Sequence, residues 1–554
     1  MTVLVVGGGI TGLTAAYALG LAGVPTTLVE ATDRLGGKVR TEHVDGFLVE
    51  SGPDSFIAYR PAALELCREL GLGDAIIRPT DPRVVNVQTG GRFVRLPDGI
   101  GLVLPTRMRP LVTTRMFSPL EKVRMGLDLV LPRAGGDGDV AVGPFLRRRF
   151  GGALVERLAG PLIGGVYGTS IDELSLDAVV PQLREAERDH RSLLLASLAQ
   201  GRDRKRSGVA ARSPFVTLAG GLGQLMDALG AALEASPSVT VRTGTEVAGL
   251  ERQGPGFTVR LVGGERLHAD AVVLTSPAPI AAGLLDALAP TAADRLRTIP
   301  YGSTGVVSLG YRADQFPEPL VGHGFLVADG EPLSISACTW SSLKWTGRAP
   351  DGMVLLRAFI GSNGERLLAG PDAEIAAAAR RDLALTMGVR GEPVLTRIAR
   401  WQAAMPHYTV GHLDRVAAAF ESLAGVPNLV LAGAPYRGVG LPDCIAQGRA
   451  AAARVQAVLD GTHGPDSASA EPVTTPLDRI PMGTGGRVVS VGAAFREELA
   501  GEGIRPGADL TVSAAAPFGG PLVVLVGRAR LALARSVAGT VDVSVAGPTD
   551  ETGA

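Results

Sequence analysis

The sequence predicts a multidomain α/β fold: a sheet that opens with a βαβ unit, an inserted helical region, a second sheet domain and a small C-terminal β-barrel. Three observations predict it. An apolar run, Thr2–Val6, leads directly into Gly7-Gly8-Gly9-Ile10-Thr11-Gly12 and an apolar helical stretch. A second strand, Gly-rich turn and Ala-rich helix recurs far downstream, over Leu431–Gly448 and beyond. Residues 461–476, rich in Gly, Pro, Ser and Thr, have the composition of a linker and separate a further block of short strand patterns. At 554 residues the chain exceeds what one hydrophobic core serves, so several domains are expected.

Taken in order, Val3–Val6, the glycine turn, a helix over 13–22 and a strand over 26–30 form one right-handed βαβ unit. From Pro61 to about Arg206 the spacing of apolar residues turns mainly helical, with helices expected over 62–70, 119–130 and 144–158 and a basic turn over 201–212. Phe215-Val216-Thr217-Leu218 and Gly220-Gly221 start a new α/β block that returns to the first domain through strands near 239–241, 257–261 and 271–275. Val-, Leu- and Ser-rich strands at 305–310, 324–327, 333–337 and 353–361, with a helix over 373–387, predict the second sheet. The domain expectation is thus a discontinuous nucleotide domain (1–60, 213–285, 395–460), a helical insert (61–212), a substrate sheet domain (286–394), the linker (461–476) and the barrel (477–547).

Composition excludes several function classes. With 46% hydrophobic and 20% charged residues the chain is globular, and a net charge of −1 supplies no basic face for nucleic acid. Cys67, Cys338 and Cys444 are isolated and odd in number, so neither a disulfide framework nor a metal site is expected, and a reducing cytoplasm fits. No stretch reaches the roughly 20 uninterrupted apolar residues of a spanning helix. No leader pattern precedes Thr2–Val6, and contact with a membrane is expected to be peripheral at most, on its inner face.

Gly7, Gly8, Gly9, Ile10, Thr11 and Gly12 form G-x-G-x-x-G between a strand and a helix, with Glu30 following at the end of the next strand. The glycines let backbone approach a pyrophosphate, the helix start supplies free N–H groups, and the acid accepts from ribose hydroxyls. Glu30 would repel a 2′-phosphate, which disfavours NADP and leaves NAD or FAD.

The stretch Arg34-Leu-Gly36-Gly37-Lys38, then Gly46 to Glu50-Ser-Gly52-Pro53, resembles the second glycine pair of the flavin amine oxidase superfamily, which NAD dehydrogenases lack. Val439-Gly440-Leu441-Pro442-Asp443 resembles that superfamily's turn at the flavin edge, where helix N–H groups would stabilise negative charge on reduced flavin. Together with Gly52-Pro53-Asp54-Ser55-Phe56, Pro161–Gly168 with Leu174-Ser175-Leu176, Gly220-Gly221, Thr339-Trp340-Ser341-Ser342-Leu343-Lys344-Trp345, Arg400-Trp401, Pro406-His407-Tyr408 and His412, the chain resembles the HemY-type protoporphyrinogen/coproporphyrinogen oxidases over residues 1 to about 460. The resemblance implies a two-dinucleotide-binding FAD fold with one non-covalent FAD. Its contacts would be Gly7–Gly12, Glu30, Gly37, Lys38, Gly52, Pro53, Asp54, Ser55, Val247, Trp401, Val439, Gly440 and Leu441.

It also implies six-electron oxidation of coproporphyrinogen III, with oxygen as acceptor and hydrogen peroxide as product, in haem biosynthesis. Protoporphyrinogen IX is the alternative substrate. A flavin amine oxidase, a carotenoid-type desaturase and a non-catalytic FAD-bound scaffold are the other readings. No catalytic residue beyond the flavin is required, and none of the seven histidines has a triad-like neighbour. Substrate carboxylates call for a cation, and Arg60 occupies the region where the family places one. The block from Leu477 onward, with Gly503-Ile-Arg-Pro506-Gly507 and short Val/Leu strands, looks like a FeoA-like domain of SH3-like fold. Family company makes a ferrochelatase or an iron-supply protein its expected partner.

Overall fold

The computed structural model describes residues 1–97, 100–101, 104–105, 108–133, 136, 138–206, 213–461, 474–477, 480, 484–492, 499–500, 502–505, 507–515, 522–526, 529–533 and 535–545. The chain divides into two compact units, residues 1–463 and 464–554.

The first unit is built on a five-stranded sheet in the order Val239–Arg242, Thr26–Val29, Val3–Val6, Ala271–Leu274, Leu429–Leu431. Every neighbouring pair is parallel. Side chains alternate across a strand, so a strand buried on both faces must be apolar throughout. Val3 and Val5 enter one core, together with Leu13 and Leu19 of helix Ile10–Leu21, Leu229 of helix Gly223–Glu234 and Ile445 of helix Leu441–Leu459. Leu4 and Val6 enter the opposite core with Phe257, Val259 and Leu285. The expected helix over 13–22 starts three residues earlier, because helical geometry begins as soon as Gly9 ends the turn.

A seven-stranded sheet runs Leu395–Pro406, Tyr301–Arg312, Met353–Ile360, Ala337–Trp340, Gly324–Val327, Val85–Thr89, Arg92–Arg95. Its last two strands fall within residues 61–206, which were expected to be mainly helical and whose other elements are mostly helices. They form a hairpin across Gly90 and Gly91, both at positive φ, and Val85–Thr89 joins the sheet in parallel with Gly324–Val327. Helix Pro61–Glu69 also packs elsewhere, placing Ala63, Leu66 and Cys67 in the core beneath the parallel sheet. The strand expected over 333–337 forms instead over Ala337–Trp340. The Ser334 and Ile335 N–H groups donate to the buried Asp382 carboxylate at 2.6 and 3.2 Å, which removes them from the ladder.

The helical body starts at Met108. Pro119–Gly126 is opened by a reciprocal Ser118/Glu121 capping box, and Val142–Phe150 stops at Gly151, φ +86°. The chain then continues through Val155–Gly164, a widened helix whose Pro161 can donate no backbone hydrogen bond. Helix Leu193–Arg206 runs through residues 201–206, where a turn was expected; residues 207–212 lie outside the described residues. The shared core of this body includes Met125, Phe145, Phe150, Leu158, Leu174 and Leu194.

The second unit, among the described residues, is one six-stranded antiparallel sheet in the order Thr474–Pro476, Val541–Val545, Gly485–Val491, Asp509–Ala515, Leu522–Val526, Ala529–Leu533. Val488, Leu510, Val512, Val524, Val541 and Val543 share its core. A closed barrel was expected; among the described residues the two outer strands of this sheet are not paired with each other. Most of the expected linker, 462–473, lies outside the described residues.

Candidate functional site

The first strand ends in a turn that only glycine can build. A Cβ on Gly12 would stand 1.9 Å from the Gly7 carbonyl oxygen, and Gly7 itself has φ +107°. Gly9 differs, because a Cβ there would meet nothing within 4 Å. It caps helix Ile10–Leu21, whose first turn has no acidic residue and no side-chain cap. The N–H groups of that helix start are therefore available to an anion.

Glu30 is held beside this turn. One carboxylate oxygen accepts from the Gly8 N–H at 2.6 Å and the other from Thr32 at 2.9 Å (N–H) and 2.8 Å (O–H). The Thr245 N–H donates to the Glu30 carbonyl at 2.8 Å, which brings the start of strand Val247–Gln253 to the same place. Gly36 N–H donates to the Gly8 carbonyl at 2.8 Å, and Gly37, at φ +55°, has its Cβ position 3.2 Å from Gly9 Cα. The next residue, Lys38, has its ammonium pKa lowered by burial.

Segment Gly52–Ser55 lies against that loop. A Cβ on Gly52 would stand 1.9 Å from the Lys38 carbonyl oxygen and 3.8 Å from the Trp401 ring. The segment is pinned from the second sheet: Arg357, 1% exposed, donates to the Gly52 carbonyl at 2.5 Å and pairs with Asp54 at 3.4 Å. Lys344 at 3.1 Å and the Trp345 indole N–H at 3.2 Å also reach Asp54, and Ser55 donates to it at 2.7 Å. Burial alone would raise the Asp54 pKa, but Lys344 and Arg357 overcome it and hold the carboxyl well below its usual range. Trp401 donates to the Ser51 carbonyl at 2.8 Å and borders a cleft of about 270 Å³ that Arg34, Arg40, Arg397 and Arg400 also line.

Val439, Gly440 and Leu441 open helix Leu441–Leu459, again without a side-chain cap. That helix crosses Ile10–Leu21 closely enough that a Cβ on Gly448 would meet the Thr11 carbonyl oxygen at 2.4 Å. Arg60 is not free at a pocket mouth: it forms an ion pair with Asp443 in the first turn of this helix.

Sequence reasoning missed Arg357, Arg348 and Glu50. Arg348 donates to the Leu218 and Ala219 carbonyls at 2.8 and 2.7 Å, and Glu50 accepts from Leu222 N–H at 2.7 Å and Thr41 O–H at 2.8 Å. A signal existed for Arg357, since a cation in the middle of Met-Val-Leu-Leu-Arg-Ala-Phe-Ile must be paired if the strand is buried.

A nucleotide fits these residues: an open glycine, an uncapped helix start, a fixed carboxylate and a half-buried lysine gather around one turn. A family model for flavin containing amine oxidoreductases matches residues 10–456, and the chain belongs to that family. Membership implies a flavin cofactor. Residues 475–545 match a FeoA domain. Among its relatives the chain is similar to the coproporphyrinogen III oxidase of Propionibacterium freudenreichii, 47% identical over 482 residues that cover 82% of this chain and 90% of the relative. It is also similar to the coproporphyrinogen III oxidase of Bacillus subtilis, 36% identical over 81% of this chain and 96% of the relative. The protoporphyrinogen oxidase of Bos taurus is 34% identical over 82% and 98%. A solved Exiguobacterium structure described as a protoporphyrinogen oxidase superposes with TM-score 0.73 at 33% identity, over 82% of this chain and 98% of its own.

Proposed function

We propose that the chain is an FAD-dependent coproporphyrinogen III oxidase of haem biosynthesis, with protoporphyrinogen IX as the second reading. The observation that carries it is the 47% identity to a coproporphyrinogen III oxidase across 82% of this chain. The mammalian protoporphyrinogen oxidase likeness keeps the second reading open.

Glu30 would hold the adenosine ribose, the Gly7–Gly12 turn and the Ile10 helix start the pyrophosphate, and Lys38 and Gly52–Ser55 the ribityl side. Val247, Trp401 and Val439–Leu441 complete the contact set. One non-covalent FAD, when bound, supplies a two-electron acceptor that oxygen regenerates with release of hydrogen peroxide. A porphyrinogen loses six hydrogens in three such steps, so the net reaction consumes three oxygen molecules per macrocycle. The protein's part is to hold the macrocycle, exclude water and orient its carboxylates. Arg60 is the carboxylate partner. The Asp54 cluster fixes the Gly52 peptide, so the cofactor edge it supports does not shift between steps.

Aerobic turnover of the flavin-loaded protein on coproporphyrinogen III and protoporphyrinogen IX side by side, read by porphyrin fluorescence and peroxide, tests the assignment. Faster conversion of the tetracarboxylate supports the first reading, faster conversion of the dicarboxylate the second, and conversion of neither rejects both.

No helix among the described residues is long and apolar enough to cross a membrane. A peripheral contact at the inner face of a membrane is supported by Leu120, Val123 and Leu127, exposed at helical spacing beside Val112 and Val130 and flanked by exposed Arg109, Arg115 and Arg133. Flotation with anionic and neutral vesicles tests it. The FeoA match supports an iron-supply protein or a ferrochelatase as partner of the C-terminal unit. Loss of capture of such a partner on removing residues 464–554 would support that role, and unchanged capture would reject it.

A further inference from the structure

The Asp443 side chain packs against a fixed turn. A Cβ on Gly438, at φ +115°, would stand 2.7 Å from Asp443 Cγ, so the carboxylate lies directly against that backbone. Gly438 is itself fixed, its N–H donating to Tyr408 Oη at 2.8 Å while the Tyr408 hydroxyl donates to the Ala434 carbonyl at 2.6 Å. Tyr408 is 1% exposed and stacks on buried His412 at 3.9 Å and 14°. His412 bonds through Nε2 to the Tyr436 carbonyl at 3.1 Å. An unbroken line of contacts thus runs from the core to Asp443.

Arg60 is the opposite. Its side chain is 50% exposed, and Nη1 engages Asp443. Among the described residues its remaining N–H donors have no acceptor. Tyr167 stands nearby, its ring 5.8 Å from that of Tyr408, and its hydroxyl has no hydrogen-bond partner among the described residues. Burial first, then the Asp443 charge, pushes its pKa up to about 12, so the phenol remains a donor.

We propose that Asp443 is a positioning residue: it grips one edge of the Arg60 guanidinium and aims the other edge, with the Tyr167 hydroxyl beside it, at a carboxylate side chain of the substrate. A guanidinium has two edges, and a flexible arginine loses less freedom on binding when one of them is already anchored. The inference rests on the porphyrinogen reading, and it makes specificity depend on a residue that does not touch the substrate.

The test is equilibrium binding of coproporphyrin III and of its uncharged tetramethyl ester to the flavin-loaded protein, with turnover measured in parallel. The expected result is that Asp443→Asn weakens binding of the free acid about tenfold, leaves the ester unchanged and raises KM more than it lowers kcat. Arg60→Lys, which keeps the charge but not the fork, weakens the acid similarly, and the double variant is no worse than Arg60→Lys alone. Unchanged acid binding in Asp443→Asn, or losses that add in the double variant, overturns the proposal. If Asp443→Asn does not hold flavin, additivity is read from Tyr167→Phe on the Arg60→Lys background, where effects that simply add overturn it. A wild type that neither binds nor oxidises any porphyrin macrocycle rejects the substrate reading and this role together, whereas wild-type binding with an indifferent Asp443→Asn rejects this role alone.

Discussion

Two buried charge clusters in the first unit are built in opposite ways. In the helical body Arg149, 1% exposed, lies between two acids, Asp128 at 3.3 Å and Glu187, whose carboxylate it reaches through Nε at 3.0 Å. Asp128 also accepts from Ser192 O–H at 2.7 Å and Leu194 N–H at 2.9 Å. At the nucleotide side one acid, Asp54, lies between two cations, Lys344 and Arg357. The first cluster joins helix to helix and touches nothing in the candidate site. The second has a cation to spare, and Arg357 uses it on the Gly52 carbonyl. A buried ion cluster therefore does not by itself mark a functional site; the second differs by turning its surplus charge onto the Gly52 backbone, against the Lys38 loop.

The sharpest way to break this comparison is to remove each central arginine. Arg149→Met leaves two buried acids facing each other, and truncating one partner of a buried pair costs about 3–5 kcal/mol. Urea unfolding should show a loss of that size, while protein that remains folded keeps its full flavin absorbance. Arg357→Met should lower stability comparably and lose flavin as well. Equal flavin content in the two variants would erase the distinction.

Smaller changes sharpen the picture at the glycine turn. Gly12→Ala should abolish flavin binding, because its methyl would overlap the Gly7 carbonyl at 1.9 Å. Gly9→Ala has open space before it and should fold normally, yet bind flavin roughly tenfold more weakly, a loss of about 1.4 kcal/mol, because the methyl enters the open face proposed for the pyrophosphate. Flavin retention on gel filtration separates them.

Buried histidines add to the acid lability of the fold. His412 is pushed down to about 4 by burial, so it folds neutral while the unfolded chain still takes a proton near its ordinary value of 6.5. Its stabilising contribution is complete above that value and is lost as pH falls from 6.5 through 4, on the order of 3 kcal/mol in all. His323 and His407, also lowered by burial, act in the same direction. Urea midpoints at pH 7 and pH 4.5 should differ less in His412→Phe than in wild type. The smallest effect is expected in the C-terminal unit, where Arg487 and Asp509 pair with side chains 66% and 75% exposed. Arg487→Ala should leave the unfolding midpoint unchanged within error.

Much of the nucleotide-binding half was legible because its constraints are local. Val3-Leu4-Val5-Val6 is apolar at every position and therefore buried on both faces, and Gly12 is required by a carbonyl only five residues earlier. The strand expected at 333–337 failed because Asp382, far along the chain, takes its N–H groups. The hairpin over Val85–Arg95 carried a Gly-Gly turn signal, but its membership in the second sheet depends on Gly324–Val327.

The amino-acid sequence alone determined that this chain would build a glycine turn, an uncapped helix start, an acid held beside them and two sheets, since sterics and hydropathy act over a few residues. Only the tertiary structure decided which charges meet. Nothing in Arg147-Arg148-Arg149 says which one is buried, and Arg60 finds Asp443 across 383 residues. Charged residues of one kind are interchangeable in a local pattern, and they acquire separate roles only when packing removes water from one and brings it a partner.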